Sequence, residues 1–174
     1  PTLTSSVFLD TYDNNSWNLS VGLRPTKYAT AGIVTGSNDY TYEVVFSGEN
    51  NFLGSVQNSF TVSSSISSSP GKQAARAAKR VYIGAHKTNI TGALQQKSDV
   101  LFSSAKYWTK YLDTKSLRQH TLDKENYGIS GSYQNVSPLD SATKDIDTFN
   151  FNNLALNWYF GNVTSSDSSG EFHV

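Results

Sequence analysis

Apolar and polar residues alternate strictly from Trp17 to Leu23, where Asn18, Ser20 and Gly22 separate Trp17, Leu19, Val21 and Leu23. A period of two sends successive side chains to opposite faces, so the stretch predicts a half-buried strand. Pro25 ends it. Tyr40, Tyr42, Val44 and Phe46 alternate again, and Gly48 to Asn51 predicts a turn. Phe60 and Val62 carry the pattern on to Ile66. Val81 to Ala85 is a short apolar run, Val100 and Phe102 alternate, and Leu154, Leu156, Trp158 and Phe160 alternate near the end. Many short strands with turn-rich spacing predict an all-β sandwich or barrel. The phase places Trp17, Leu19, Val21, Val44, Phe46, Leu156 and Trp158 inside, each contributing roughly 1.5–3 kcal/mol on burial.

Two segments depart from the β pattern. Pro70 to Arg80 is rich in alanine, the best helix former, and would set Lys72, Arg76, Lys79 and Arg80 on one helical face. The preferred reading is a solvated loop or single-turn helix between strands; the alternative is a basic patch for phosphate or an acidic partner. Asp113 to Gly128 is the best helix in the chain. Asp113 or Thr114 serves as N-cap, Leu117 and Thr121 stack at i and i+4, and Gly128 serves as the stop.

Composition strengthens the β reading. Ser (26), Thr (16) and Asn (15) make up about a third of the 174 residues, aromatics are 13%, and Glu numbers only four. Threonine and aromatics suit strands, whereas Ser, Asn and Gly suit turns. Lys and Arg (14) balance Asp and Glu (14), leaving no global field to attract nucleic acid or anionic lipid. No apolar run is long enough to insert into a membrane. There is no Cys, hence no disulfide framework, thiolate metal site or Cys nucleophile. A chain that starts at Pro1 and holds no Met is expected to be processed or to be an internal part of a longer protein.

A search for chemistry returns mostly absences: no nucleophile elbow, no glycine-rich phosphate loop and no H-E-x-x-H. His120 and Asp123, three apart on the expected helix, suit a surface hydrogen bond or a cap. Asp10, Asp13, Asn14 and Asn15 form an oxygen-rich cluster of the kind calcium takes, which makes Asp10 and Asp13 the candidate metal ligands. Their spacing is not that of a calcium loop, and such clusters usually make turns. Asp145 and Asp147 would share one strand face, as paired carboxylates do in glycosidases, but a solvated strand edge accounts for them. Sequons at Asn14, Asn18, Asn89 and Asn162 match the number that chance supplies. Trp17 and Trp158 are in phase with core residues. Tyr159 is out of phase with Trp158, and Tyr12, Tyr28 and Tyr133 lie in turn-rich stretches. These four tyrosines are the candidates for an exposed ligand-binding platform.

Residues 81–128 carry a resemblance. Ile83-Gly84, the turn Thr91-Gly92-Ala93-Leu94, the stretch Asp99 to Ser103, the aromatic Ala105 to Trp108, and Leu112-Asp113 with Leu117 resemble the second half of laminin G-like, or concanavalin A-like, jelly-roll domains. With Trp17 to Leu23 and Tyr40 to Phe46 as middle strands, the resemblance covers about residues 5–130. His120, Asp123 and Asn126-Tyr127-Gly128 are similar to versions found in structural proteins of tailed, especially marine, bacteriophages. Leu154 to Phe160 followed by Asp167 to Gly170 resembles the opening strand of such a domain. The resemblance implies an antiparallel jelly-roll β-sandwich over 1–153 with one short helix near 113–127. It also implies that 154–174 closes this sandwich or opens a neighbouring module.

The function so implied is a non-enzymatic module of a virion protein: tail fibre, baseplate or capsid decoration. Its partners would be other virion subunits, further copies of itself in a homotrimer, and a host-surface glycan. The alternative is a carbohydrate-binding lectin domain of a secreted or cell-surface protein. The glucanase branch of the superfamily uses an E-x-D-x-E strand that this sequence lacks, which argues against hydrolysis.

Overall fold

A computed structural model describes residues 3–8, 15–26, 40–89, 91–97, 100–126 and 154–162. The chain forms two compact units, Pro1–Ala77 with Lys110–Phe151, and Ala78–Thr109 with Asn152–Val174. The described residues are mostly strands in small, unclosed antiparallel sheets, joined by two short helices.

In the first unit β1 (Ser16–Pro25), β2 (Tyr42–Phe52) and β3 (Ser55–Ile66) form an antiparallel sheet in that order. The register sets Leu19 beside Gly48, and Gly48 beside Phe60; the next row on the same face is Val21, Phe46 and Val62. Gly48 is therefore a strand residue, not part of a turn as the sequence suggested. A Cβ there would collide with the Phe60 ring and with Leu19. The turn comes later, at Leu53-Gly54, where both residues have positive φ (50° and 80°), as a two-residue type I′ hairpin requires.

The helices differ from expectation in length. α1 (Ser68–Arg76) is a helix of more than two turns where a loop or single turn was expected. Pro70 is tolerated because the first turn has no intrahelical use for its N–H, and the run beyond it favours helix. Lys72 and Arg76 fall within α1, whereas Lys79 and Arg80 lie past its end. α2 (Thr114–Leu122) starts as expected, with the Asp113 carboxylate accepting the Ser116 N–H at 2.7 Å. It stops at Leu122, short of Gly128, because Asp123 turns extended and its carboxylate takes the Glu125 N–H at 3.0 Å.

The second unit holds β4 (Ala85–Lys87) paired with β5 (Leu94–Lys97), and β6 (Ser104–Trp108) paired with β7 (Leu154–Tyr159). Val81 to Ile83 and Val100 to Phe102, apolar in sequence, join no strand. Leu156 lies opposite Tyr107 and Trp158 opposite Ala105, all half-buried.

Candidate functional site

Against expectation the polar face of the first sheet is covered over β1 and β2, while on β3 its residues Thr61, Ser63 and Ser65 stay exposed. That face carries Asn18, Ser20, Gly22, Ser47, Glu49 and Thr61, and α2 packs on it. The Asn18 amide donates to the Leu117 carbonyl at 3.1 Å and to Thr121 Oγ1 at 3.0 Å, and the Asn51 amide donates to the Thr121 carbonyl at 3.2 Å. Ser20 and Ser47 hydroxyls meet at 2.8 Å. Arg118 Nη2 reaches Glu49 Oε1 at 3.1 Å. Glu49 is buried, and its second carboxylate oxygen has no hydrogen-bond partner. A cavity of about 10 Å³ among these groups has room for about one water molecule. Gly22 lets the Tyr111 ring lie directly against the sheet, and the Arg24 guanidinium stands over that ring at 5.0 Å. Val45 and Leu112 are the buried apolar residues of the described chain, and both belong to this unit.

The apolar face is left partly open. Leu19 is 60% exposed and Val21 is 74% exposed, which corrects their expected place inside. Trp17, Val44 and Phe46 are half-buried. The physical reason is that alternation makes two faces but does not choose which one the chain covers; here α2 finds hydrogen-bond partners in Asn18, Glu49 and Asn51 on the polar side. Phe8 shields one end of the apolar face, its ring 5.1 Å from Trp17 and 5.6 Å from Phe60. At the other end Gly71 of α1 lies in contact with the Tyr42 ring. Between these two covers Leu19 and Val21 stand in solvent.

α1 borders the open face with cationic and phenolic groups. Lys72 Nζ lies 5.2 Å from the centre of the Tyr40 ring. A hydrogen bond with Lys72 holds the Tyr40 phenol below its usual range, while burial pushes the Tyr42 phenol up. An open depression of about 860 Å³ runs along α1 beside Ser69, Pro70, Lys72, Gln73 and Arg76.

Of the residues singled out from sequence, Tyr12, Tyr28, Tyr133, Asp10, Asp13, Asp145 and Asp147 lie outside the described residues. Tyr159 is half-buried on β7, with its ring packed over Gly161. His120 is half-buried in the last turn of α2. No cluster of three or more His, Asp or Glu suited to a metal ion occurs among the described residues. The Asn18 sequon is unsuited to carry a glycan, because its amide is spent on α2. The Glu49–Arg118 and Asn18–Thr121 contacts join residues 69 and 103 positions apart, and no local signal announces them.

No family model matches the chain, and neither curated proteins nor solved structures match it.

Proposed function

We propose that this chain is a non-enzymatic structural and recognition module of a bacteriophage virion protein, built as a jelly-roll sandwich and working by assembly with neighbouring subunits. The virion setting rests on the resemblance of residues 81–128. The assembly role is carried by one observation: α2 covers the polar face of the first sheet over β1 and β2, and on the apolar face Leu19 and Val21 are left in solvent. An apolar sheet face is the half of a sandwich that needs a second layer, and exposed apolar surface rimmed by polar groups favours protein contact. A further copy of the chain, in a symmetric oligomer such as a trimer, is the simplest supplier of that layer.

Sedimentation velocity over a wide concentration range tests the reading. Self-association of the unaltered chain, lost in Leu19→Lys and Val21→Lys variants that keep the same circular dichroism, is the expected result. A chain that stays monomeric throughout and shows no binding to virion proteins from the same source would overturn it. Sugar release from a glycan panel would overturn the non-enzymatic part.

A further inference from the structure

The first crossing between the two units falls at Ala77–Ala78. Residues 78–84 belong to no helix or strand, and every residue from Gln73 to Val81 is exposed. Lys79 and Arg80 stand side by side in this stretch, directly before Val81. We propose that the Arg80–Val81 peptide bond is a processing site for an arginine-specific endoprotease, and that the cut protein remains assembled.

A protease must bind its substrate extended for several residues around the scissile bond, so exposed segments outside regular structure are cut first. An arginine at the bond supplies the cation that an acidic specificity pocket takes by a paired hydrogen bond. The other three arginines of the sequence are protected. Arg24 lies in β1, is bonded to Glu43 at 2.7 Å, and precedes Pro25, whose tertiary amide and fixed φ disfavour cleavage. Arg76 ends α1, and the Ala77 N–H that follows it still bonds the Gln73 carbonyl at 2.8 Å. Arg118 sits within α2 on Glu49. In hydrolysis at Arg80, water adds across the amide; Arg80 gains a carboxylate and Val81 an α-ammonium group, with no other reactant.

The cut would leave both units whole. β1, β2 and β3 belong to residues 1–80, and α2 belongs to residues 81–174, so the first unit would be held by packing and by the Asn18 and Glu49 bonds to α2. All strands of the second unit lie in the later fragment.

The test is brief digestion of the full 174-residue chain with an arginine-specific endoprotease. One early cut is expected, with a new N-terminus reading Val81-Tyr82-Ile83-Gly84. The two fragments should co-elute on a native sizing column and part in denaturant. Arg80→Gln should slow the first cut at least tenfold. Arg80→Lys should resist the arginine-specific enzyme yet be cut there by trypsin, which separates loss of the site from loss of the fold. First cleavage at Arg76 or Arg118, unchanged digestion of Arg80→Gln, or fragments that separate without denaturant would overturn the proposal.

Discussion

The Asn18 side-chain amide, on the first strand of the sheet, donates to the hydroxyl of Thr121, on the last turn of α2, at 3.0 Å. Its second proton goes to the Leu117 carbonyl at 3.1 Å, and the Thr121 hydroxyl donates in turn to that same carbonyl at 3.0 Å. Three polar groups satisfy one another in a seam that a hydrophobic reading of the strand would assign to water. Replacing Asn18 with Ala removes two hydrogen bonds and takes the donor from the buried Thr121 hydroxyl oxygen, while the Leu117 carbonyl keeps the Thr121 hydroxyl. The expected loss is about 2 kcal/mol, read as a shifted urea midpoint with the slope unchanged.

The Arg118–Glu49 pair is asymmetric: the Arg118 side chain is 53% exposed and that of Glu49 is 11% exposed. Arg118→Ala would strip the partner from a buried carboxylate, at a cost of about 1–3 kcal/mol. Adding Glu49→Gln removes the orphaned charge, so the double variant should be less destabilised than the sum of the single changes. A double-mutant cycle by thermal or urea unfolding measures this; strict additivity would contradict it.

The uneven cover of the sheet makes a sharp contrast between two valines. Val21 is 74% exposed and Val45 is 8% exposed. Val21→Ser should change the stability of the dilute monomer by less than about 0.5 kcal/mol, whereas Val45→Ser should cost about 2 kcal/mol or more. Equal losses at the two positions would mean that the open face is covered within the monomer.

Leu53 occupies the left-handed region with φ 50° while its side chain is 90% exposed. The conformation costs an L-residue roughly 1–2 kcal/mol, less for Asn, whose short polar side chain bonds locally. With Gly54 following, Leu53→Asn creates the preferred type I′ pair. A gain of about 1 kcal/mol in unfolding free energy is expected, and a loss would contradict the turn geometry.

Acid should weaken the first unit through two carboxylates. The Ser116 N–H holds Asp113 below its usual range, and the Ser63 hydroxyl with Arg24 does the same for Glu43. A lowered folded-state value means that the ionised form is favoured by folding. The contribution is therefore complete above the unfolded carboxylate values, about 4, and fades as pH falls through the lower folded values. Melting temperature should drop below about pH 4. Asp113→Asn, which still caps a helix, should flatten that decline.

The strands Ser16–Pro25, Ser55–Ile66 and Leu154–Tyr159 were legible because a period of two is written into residue order, and α2 began at its expected cap because Asp113 bonds the N–H three residues on. Such features depend on neighbours along the chain. Gly48 was misread for the opposite reason: its lack of a side chain serves Phe60 and Leu19 on adjacent strands, contacts made across the sheet rather than along the sequence. Which face is covered was also decided only in three dimensions. Trp17, Leu19 and Val21 alternate with Asn18 and Ser20 identically whether the apolar side faces inward or outward; the choice fell to α2, about a hundred residues away, whose carbonyl and hydroxyl groups had their hydrogen-bond partners on the polar side.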